Sequence, residues 1–195
     1  MSHPIASLQC ELVKELERDP RGARVARILG ESAERHDDWR RYAMFDAACY
    51  TRNLVERNEH YEMLVLCWNV GQKSPIHNHA GQNCWMGVLE GEIEETLFTP
   101  SVESGEGPLI EGKSRVYARG RVGFINDDVA LHRVRPVAGQ RGISLHLYSK
   151  PIDECLVYDE TTGRVVSSRL VYHSIDGATT GTVGKPERSQ PLRSP

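Results

Sequence analysis

The sequence predicts a mainly β domain, an antiparallel sandwich or barrel with two or three helices in front, and three observations carry that expectation. From about residue 50, ten short β-branched or aromatic runs follow one another, punctuated by Gly, Asn, Asp and Pro. Ahead of them, apolar residues recur at helical spacing. A chain of 195 residues, 39% of them hydrophobic and 26% charged, is long enough to build one good core as a single domain.

Taken in order, Ile5, Leu8, Leu12 and Leu16 mark a first amphipathic helix that runs towards Pro20. Val25, Ile28 and Leu29 continue the pattern, with Gly30 as a possible stop. Strands are expected at Tyr50–Val55, Tyr61–Val70, Asn83–Leu89, Glu92–Phe98, Ser114–Ala118, Val122–Ile125, Leu131–Val137, Gly142–Ser149, Glu154–Tyr158 and Arg164–Val171. Gly91 between two of them signals a tight hairpin. Residues 1–173 therefore read as one domain, with a helical segment at 1–45 and the β-barrel at 50–173. Residues 174–195, rich in Gly, Thr, Ser and Pro, hold too few apolar side chains to offset the entropy of ordering them and read as a flexible tail. No repeat at a solenoid period is present.

Charge and apolar patterning exclude several partners. Lys and Arg number 24 against 27 Asp and Glu, and the basic residues form no block that would grip DNA or RNA. No apolar run approaches the roughly 18 residues needed to span a bilayer, and Met1–Cys10 has neither a basic start nor an apolar signal core. A cytoplasmic protein is expected, and a monomer, because the polar surface offers no obvious seam. Five cysteines, at 10, 49, 67, 84 and 155, are odd in number and lack Cys-x-x-Cys spacing, so free thiols are expected rather than a disulfide frame.

The chemistry-bearing signal begins at His77-Asn-His79. Residues two apart on a strand point to one face, close enough for two imidazoles to converge on one ion at roughly 2.1 Å. By itself the pair is a weak motif, equally compatible with an exposed polar loop. Its setting is wider: Gly71, five residues, His77-x-His79, four residues, Cys84, six residues, Gly91. That pattern resembles the first motif of the cupin superfamily, with Cys84 where most cupins place a glutamate ligand. A second cupin-like segment runs from Gly120 through Gly123-Phe-Ile-Asn126 to His132, the third candidate ligand, which alone would pass for a satisfied strand histidine.

The resemblance then becomes specific. Tyr50-Thr-Arg52-Asn-Leu-Val55, Leu66-Cys-Trp68, Ile76-His-Asn-His79, Cys84, Leu89-Glu-Gly91, Glu95-Thr-Leu-Phe98, Ile125-Asn-Asp127, Leu131-His-Arg-Val134 and Ser144-Leu-His-Leu-Tyr-Ser149 together look like cysteine dioxygenase. The match runs from about Tyr50 to His173. It implies a small cupin β-barrel that holds one Fe(II) on His77, His79 and His132, and that oxidises the thiol of L-cysteine with O2 to a sulfinic acid.

Such chemistry needs a redox-active metal, because triplet O2 reacts slowly with a closed-shell thiolate and zinc has no accessible redox change. Three neutral imidazoles leave the ion its full charge and one open face. The resemblance matches Arg52 to the family's carboxylate-binding arginine, whose planar fork Lys could not copy; outside that context it would read as an ordinary surface residue. Tyr50 could add a phenolic hydrogen bond to the same carboxylate, or simply pack. Ser144, His146 and Tyr148 alternate on one strand and share a face. They resemble the family's relay, with Tyr148 by the iron, His146 bonded to its hydroxyl and Ser144 behind; a polar outer face of an edge strand is the plainer alternative. In mammalian-type members the counterparts of Cys84 and Tyr148 are joined through sulfur, and this chain keeps both; a buried free thiol is the alternative. Trp68 and Trp85 read as barrel packing, with Trp68 also able to wall the site. The family often follows the tyrosine with Ser-Pro-Pro and a cis bond, whereas this chain has Ser149-Lys150-Pro151. Three other readings stay open: a dioxygenase for 3-mercaptopropionate or another small thiol, a non-catalytic metal-binding cupin module, and a zinc hydrolase, since three histidines plus water also suit zinc.

Overall fold

The computed structural model describes residues 4–101, 107–181 and 188–191. Helix α1 (Pro4–Arg18) and helix α2 (Val25–Arg35) precede a short 3-10 turn at Asp38–Tyr42. Gly30 does not end α2. It lies mid-helix and buried, where a Cβ would stand 2.7 Å from the Gly120 carbonyl oxygen, so a glycine lets the helix approach the sheet closely.

Fourteen strands follow among the described residues. They are β1 (Thr51–Arg57), β2 (Glu62–Trp68), β3 (Ile76–His77), β4 (Cys84–Glu90), β5 (Glu92–Pro100), β6 (Leu109–Ala118) and β7 (Val122–Ile125). The second half holds β8 (Leu131–Pro136), β9 (Gly142–Tyr148), β10 (Glu154–Tyr158), β11 (Val165–Arg169), β12 (Ser174–Ile175), β13 (Ala178–Thr179) and β14 (Arg188–Pro191). They form two seven-stranded sheets, in the orders β13-β12-β1-β2-β9-β4-β7 and β14-β11-β10-β3-β8-β5-β6. Gly91 makes the β4–β5 turn at φ +73°, and a Cβ there would meet the Arg141 carbonyl oxygen at 2.4 Å.

The alternation along β2 and β9 sets the architecture. Met63, Val65 and Cys67, with Ile143, Leu145 and Leu147, point outward and pack under the apolar stripes of α1 and α2. Leu64, Leu66 and Trp68 point the other way, into a core shared with Ile93 and Val134 of the second sheet. Ser144, His146 and Tyr148 lie on that inner face. Since β9 sits between β2 and β4 and is buried along its length, the polar triplet is not the outer face of an edge strand.

The first sheet also extends past residue 173, where the sequence places the start of a flexible tail. Strand β12 pairs parallel with β1, Asn53 opposite Ser174, and the buried Ser174 hydroxyl donates to Asn53 Oδ1 at 2.8 Å. Ladder bonds and one buried polar pair order this stretch, and neither shows in apolar content. Residues 182–187 and 192–195 of the expected tail lie outside the described residues. No helix among the described residues is long and apolar enough to cross a membrane.

Candidate metal centre

Each histidine of the candidate triad arrives by a different route. His77 ends β3 and faces His132 of β8 directly in the ladder, so both rings leave the second sheet on the same side. Their Nε2 atoms stand 3.2 Å apart. His79 is not on a strand: it opens the turn after β3, so the two-residue strand spacing does not explain its aim. Asp127 does. Its Oδ1 accepts the His79 backbone N–H at 2.6 Å and its Oδ2 accepts that of Gly81 at 2.8 Å, folding the turn so that the His79 ring meets the other two. One ligand nitrogen from each of the three rings lies within 4.8 Å of the others.

The protonation pattern suits a cation. His77 Nδ1 lies 3.0 Å from the Pro75 carbonyl oxygen and donates to it, which leaves the lone pair on Nε2. His132 Nδ1–H donates to Glu95 Oε1 at 2.8 Å, a carboxylate–histidine arrangement that raises ligand basicity and fixes the ring. Glu95 Oε2 accepts the Tyr117 hydroxyl at 3.1 Å. Burial pushes the pKa of all three histidines down, well below the ordinary imidazole range for His79 and His132, so the rings are neutral at pH 7. Burial also raises the Glu95 carboxyl. Both ring nitrogens of His79 are buried with no hydrogen-bond partner. A buried imidazole left unsatisfied beside two inward-pointing lone pairs fits a bound metal ion, which would supply the missing partner.

The pocket beside this cluster is lined by Tyr50, Arg52, Tyr148, Cys155, Leu170 and His173 among others. Arg52 is 9% exposed, with Nε and Nη2 buried and unpartnered, and its guanidinium carbon stands 5.9 Å from the Tyr148 ring centre. Tyr50 stacks on Trp68 with ring centres 4.5 Å apart, and burial pushes its hydroxyl up to about 12. Trp68 therefore packs and also supports the site, since its Nε1–H donates to Ser144 Oγ at 3.0 Å. Ser144 Oγ lies 3.0 Å from His146 Nε2. The other His146 nitrogen lies 3.9 Å from Cys84 Sγ rather than on the Tyr148 hydroxyl, so the expected bond to that hydroxyl is absent here. The two rings face each other with centres 6.3 Å apart.

Cys84 and Tyr148 stand directly opposite in the β4–β9 ladder, where Cβ atoms are typically about 5 Å apart. Cys84 is fully buried and its thiol is pushed up by burial. None of the five cysteines is in a disulfide, and the peptide bonds at Ser149-Lys150-Pro151 are trans. Cys155, which in sequence carries no signal, lines the pocket with its thiol raised to about 11 by burial. Glu95, Asp127 and Glu62 are site residues that sequence reading did not single out. Glu95 and Asp127 fall inside the quoted motifs, and Glu62 is a lone acid in an otherwise apolar run.

The family model described as cysteine dioxygenase type I matches residues 3–161. Cysteine dioxygenase type 1 of Homo sapiens is 38% identical over 146 residues, 73% of this chain and 72% of the human one. The protein of the same name from Danio rerio shows the same identity and coverage. Among solved structures, a Klebsiella pneumoniae protein with a double-stranded β-helix domain is 15% identical with a TM-score of 0.48, over 59% of this chain and 89% of that one.

Proposed function

The chain belongs to the cysteine dioxygenase type I family, and from that premise we propose that it oxidises the thiol of free L-cysteine with O2 to cysteine sulfinic acid, using one Fe(II) per chain on His77, His79 and His132. The observation that carries the reading is a cluster of three neutral imidazoles, two of which line the same pocket as the Arg52 guanidinium, whose Nε and Nη2 make no hydrogen bond. When bound, iron supplies a redox-active centre for O2 and lowers the pKa of a ligating thiol.

The protein's own side chains do the rest. Arg52 presents its fork to the substrate carboxylate, and Tyr50 borders the same pocket. Because Arg52 lines the same pocket as His77 and His79, a substrate carboxylate held by the guanidinium would be set at a fixed bearing relative to the histidine cluster. Tyr148, its hydroxyl held neutral by burial, can donate a hydrogen bond into the pocket. His146, Ser144 and Trp68 form a buried chain behind it that keeps this wall rigid. Cys84, opposite Tyr148, is the partner for a thioether to the phenol ring.

Oxygen uptake across a thiol panel, with product mass, tests the assignment. A buried charge-assisted pair contributes about 2 to 3 kcal/mol, or roughly thirty- to two-hundred-fold in affinity. Arg52→Ala should therefore raise KM for L-cysteine by that factor and affect 3-mercaptopropionate much less, and Arg52→Lys should restore only part. Equal losses on both thiols, or a wild type that prefers 3-mercaptopropionate, would move the chain to the sibling activity.

A further inference from the structure

Strand β2 is buried along its whole length, and its other inward residues are Leu64, Leu66 and Trp68. Glu62 breaks that pattern. It is fully buried and stands opposite Arg57 on one side and Tyr148 on the other, so Arg57, Glu62, Tyr148 and Cys84 form one row across β1, β2, β9 and β4. Burying a carboxylate is unfavourable unless its charge is matched. Here the two oxygens are matched differently. Oε1 accepts the Tyr172 hydroxyl and lies 3.6 Å from Arg57 Nη1. Arg57 also donates to the Tyr172 oxygen at 2.6 Å and pairs with Asp153 at 2.8 Å. Oε2 has no hydrogen-bond partner and faces Arg52 Nη2 at 3.5 Å, an atom equally unpartnered. The cluster holds two cations and two anions, balanced before any substrate enters.

We infer that Glu62 is a positioning residue for Arg52, an internal counter-ion that holds the guanidinium at the pocket wall and shares its charge with the carboxylate of the bound thiol. The inference rests on the carboxylate-binding reading of Arg52 and extends it: affinity for the acid is set by the Glu62–Arg52 pair, with Tyr172 and Arg57 deciding how much of Glu62's charge reaches Arg52. The backbone supports this link, since the His173 N–H donates to the Arg52 carbonyl oxygen at 2.8 Å and so ties the Tyr172 segment to β1.

Opposite-signed variants test it. In Glu62→Gln the amide oxygen can still accept from the Tyr172 hydroxyl, but an NH2 replaces the oxygen facing Arg52, leaving the guanidinium uncompensated and less firmly held. L-cysteine should then bind tighter by about threefold or more, because its carboxylate becomes the main counter-ion. At the same time kcat should fall as the carboxylate loses its fixed bearing. Tyr172→Phe frees Oε1, puts more of Glu62's charge on Arg52, and should weaken L-cysteine binding by about twofold. Cysteamine, which lacks the carboxylate, should bind all variants alike. Binding is read from thermal stabilisation of the iron-loaded enzyme by each thiol without O2, and kcat and KM from oxygen uptake. A residue with a merely structural role would raise KM and lower kcat together for both thiols. The inference is overturned if Glu62→Gln weakens L-cysteine and cysteamine in step, or if Tyr172→Phe tightens L-cysteine; the second variant decides if the first does not fold. Unchanged L-cysteine binding in Arg52→Ala would instead remove the carboxylate reading of Arg52, and the inference with it.

Discussion

Removing the Glu95 carboxylate should weaken metal binding without touching a ligand. Its Oε1 takes the His132 Nδ1 proton at 2.8 Å, and both side chains are almost wholly enclosed, 5% and 1% exposed. That bond selects the tautomer with its lone pair on Nε2, stops ring rotation, and adds negative charge behind the imidazole. A buried charge-assisted hydrogen bond contributes about 1.5 to 3 kcal/mol, equivalent to about ten- to one-hundred-and-fifty-fold in an equilibrium constant. Glu95→Gln keeps an acceptor oxygen and loses only the charge, so it belongs at the lower end, about tenfold. Glu95→Ala leaves the buried Nδ1 without a partner and belongs near a hundredfold. Tyr117→Phe, which removes only the hydroxyl at 3.1 Å from Oε2, should cost a few-fold at most. Fe(II) dissociation constants from anaerobic chelator competition give the ranking directly. A Glu95→Ala protein that folds and holds iron with wild-type affinity would refute the account of how His132 is oriented.

Two further outcomes follow from burial and register. Because Cys84 and Tyr148 are opposite each other in the ladder, turnover with iron, O2 and L-cysteine should join Sγ to a ring carbon with loss of two hydrogens to the oxidant; intact mass should fall by that amount, Cys84→Gly should abolish the change, and unmodified peptides after prolonged turnover would end the idea. His77, His79, His132 and His146 all have pKa values depressed by burial, so below the unfolded value near 6.5 the unfolded chain binds protons that the folded one does not. Their contribution to stability is complete above that pH and declines as pH falls towards the folded values. Urea unfolding of metal-free protein at pH 7.5 and 5.5 measures this, and equal midpoints would contradict it.

Features that repeat along the chain are legible in the residues alone. Helical spacing of Ile5, Leu8, Leu12 and Leu16 marks α1, and all ten expected β-runs correspond to strands, because β-branched and aromatic residues bounded by turn formers favour extended backbone whether or not one face is buried. The residue-specific motifs also single out three histidines that the fold brings into one cluster, an arginine that shares a pocket with two of them, and Cys84 and Tyr148, which stand opposite in one ladder row. Features that depend on single long-range contacts emerge only in the folded chain. Gly30 reads in sequence as a helix stop, whereas the close approach of Gly120 gives it a packing role, and Ser174 reads as tail, whereas Asn53 gives it a buried partner. His79 is aimed by Asp127, 48 residues away, rather than by strand geometry. Glu95, which orients His132, and Glu62, which faces Arg52, sit in runs whose periodicity records burial but not which charge stands across the gap. Local pattern encodes which face of an element is buried; the partner of a buried polar group is fixed by strand register and sheet order, which no short window of sequence contains.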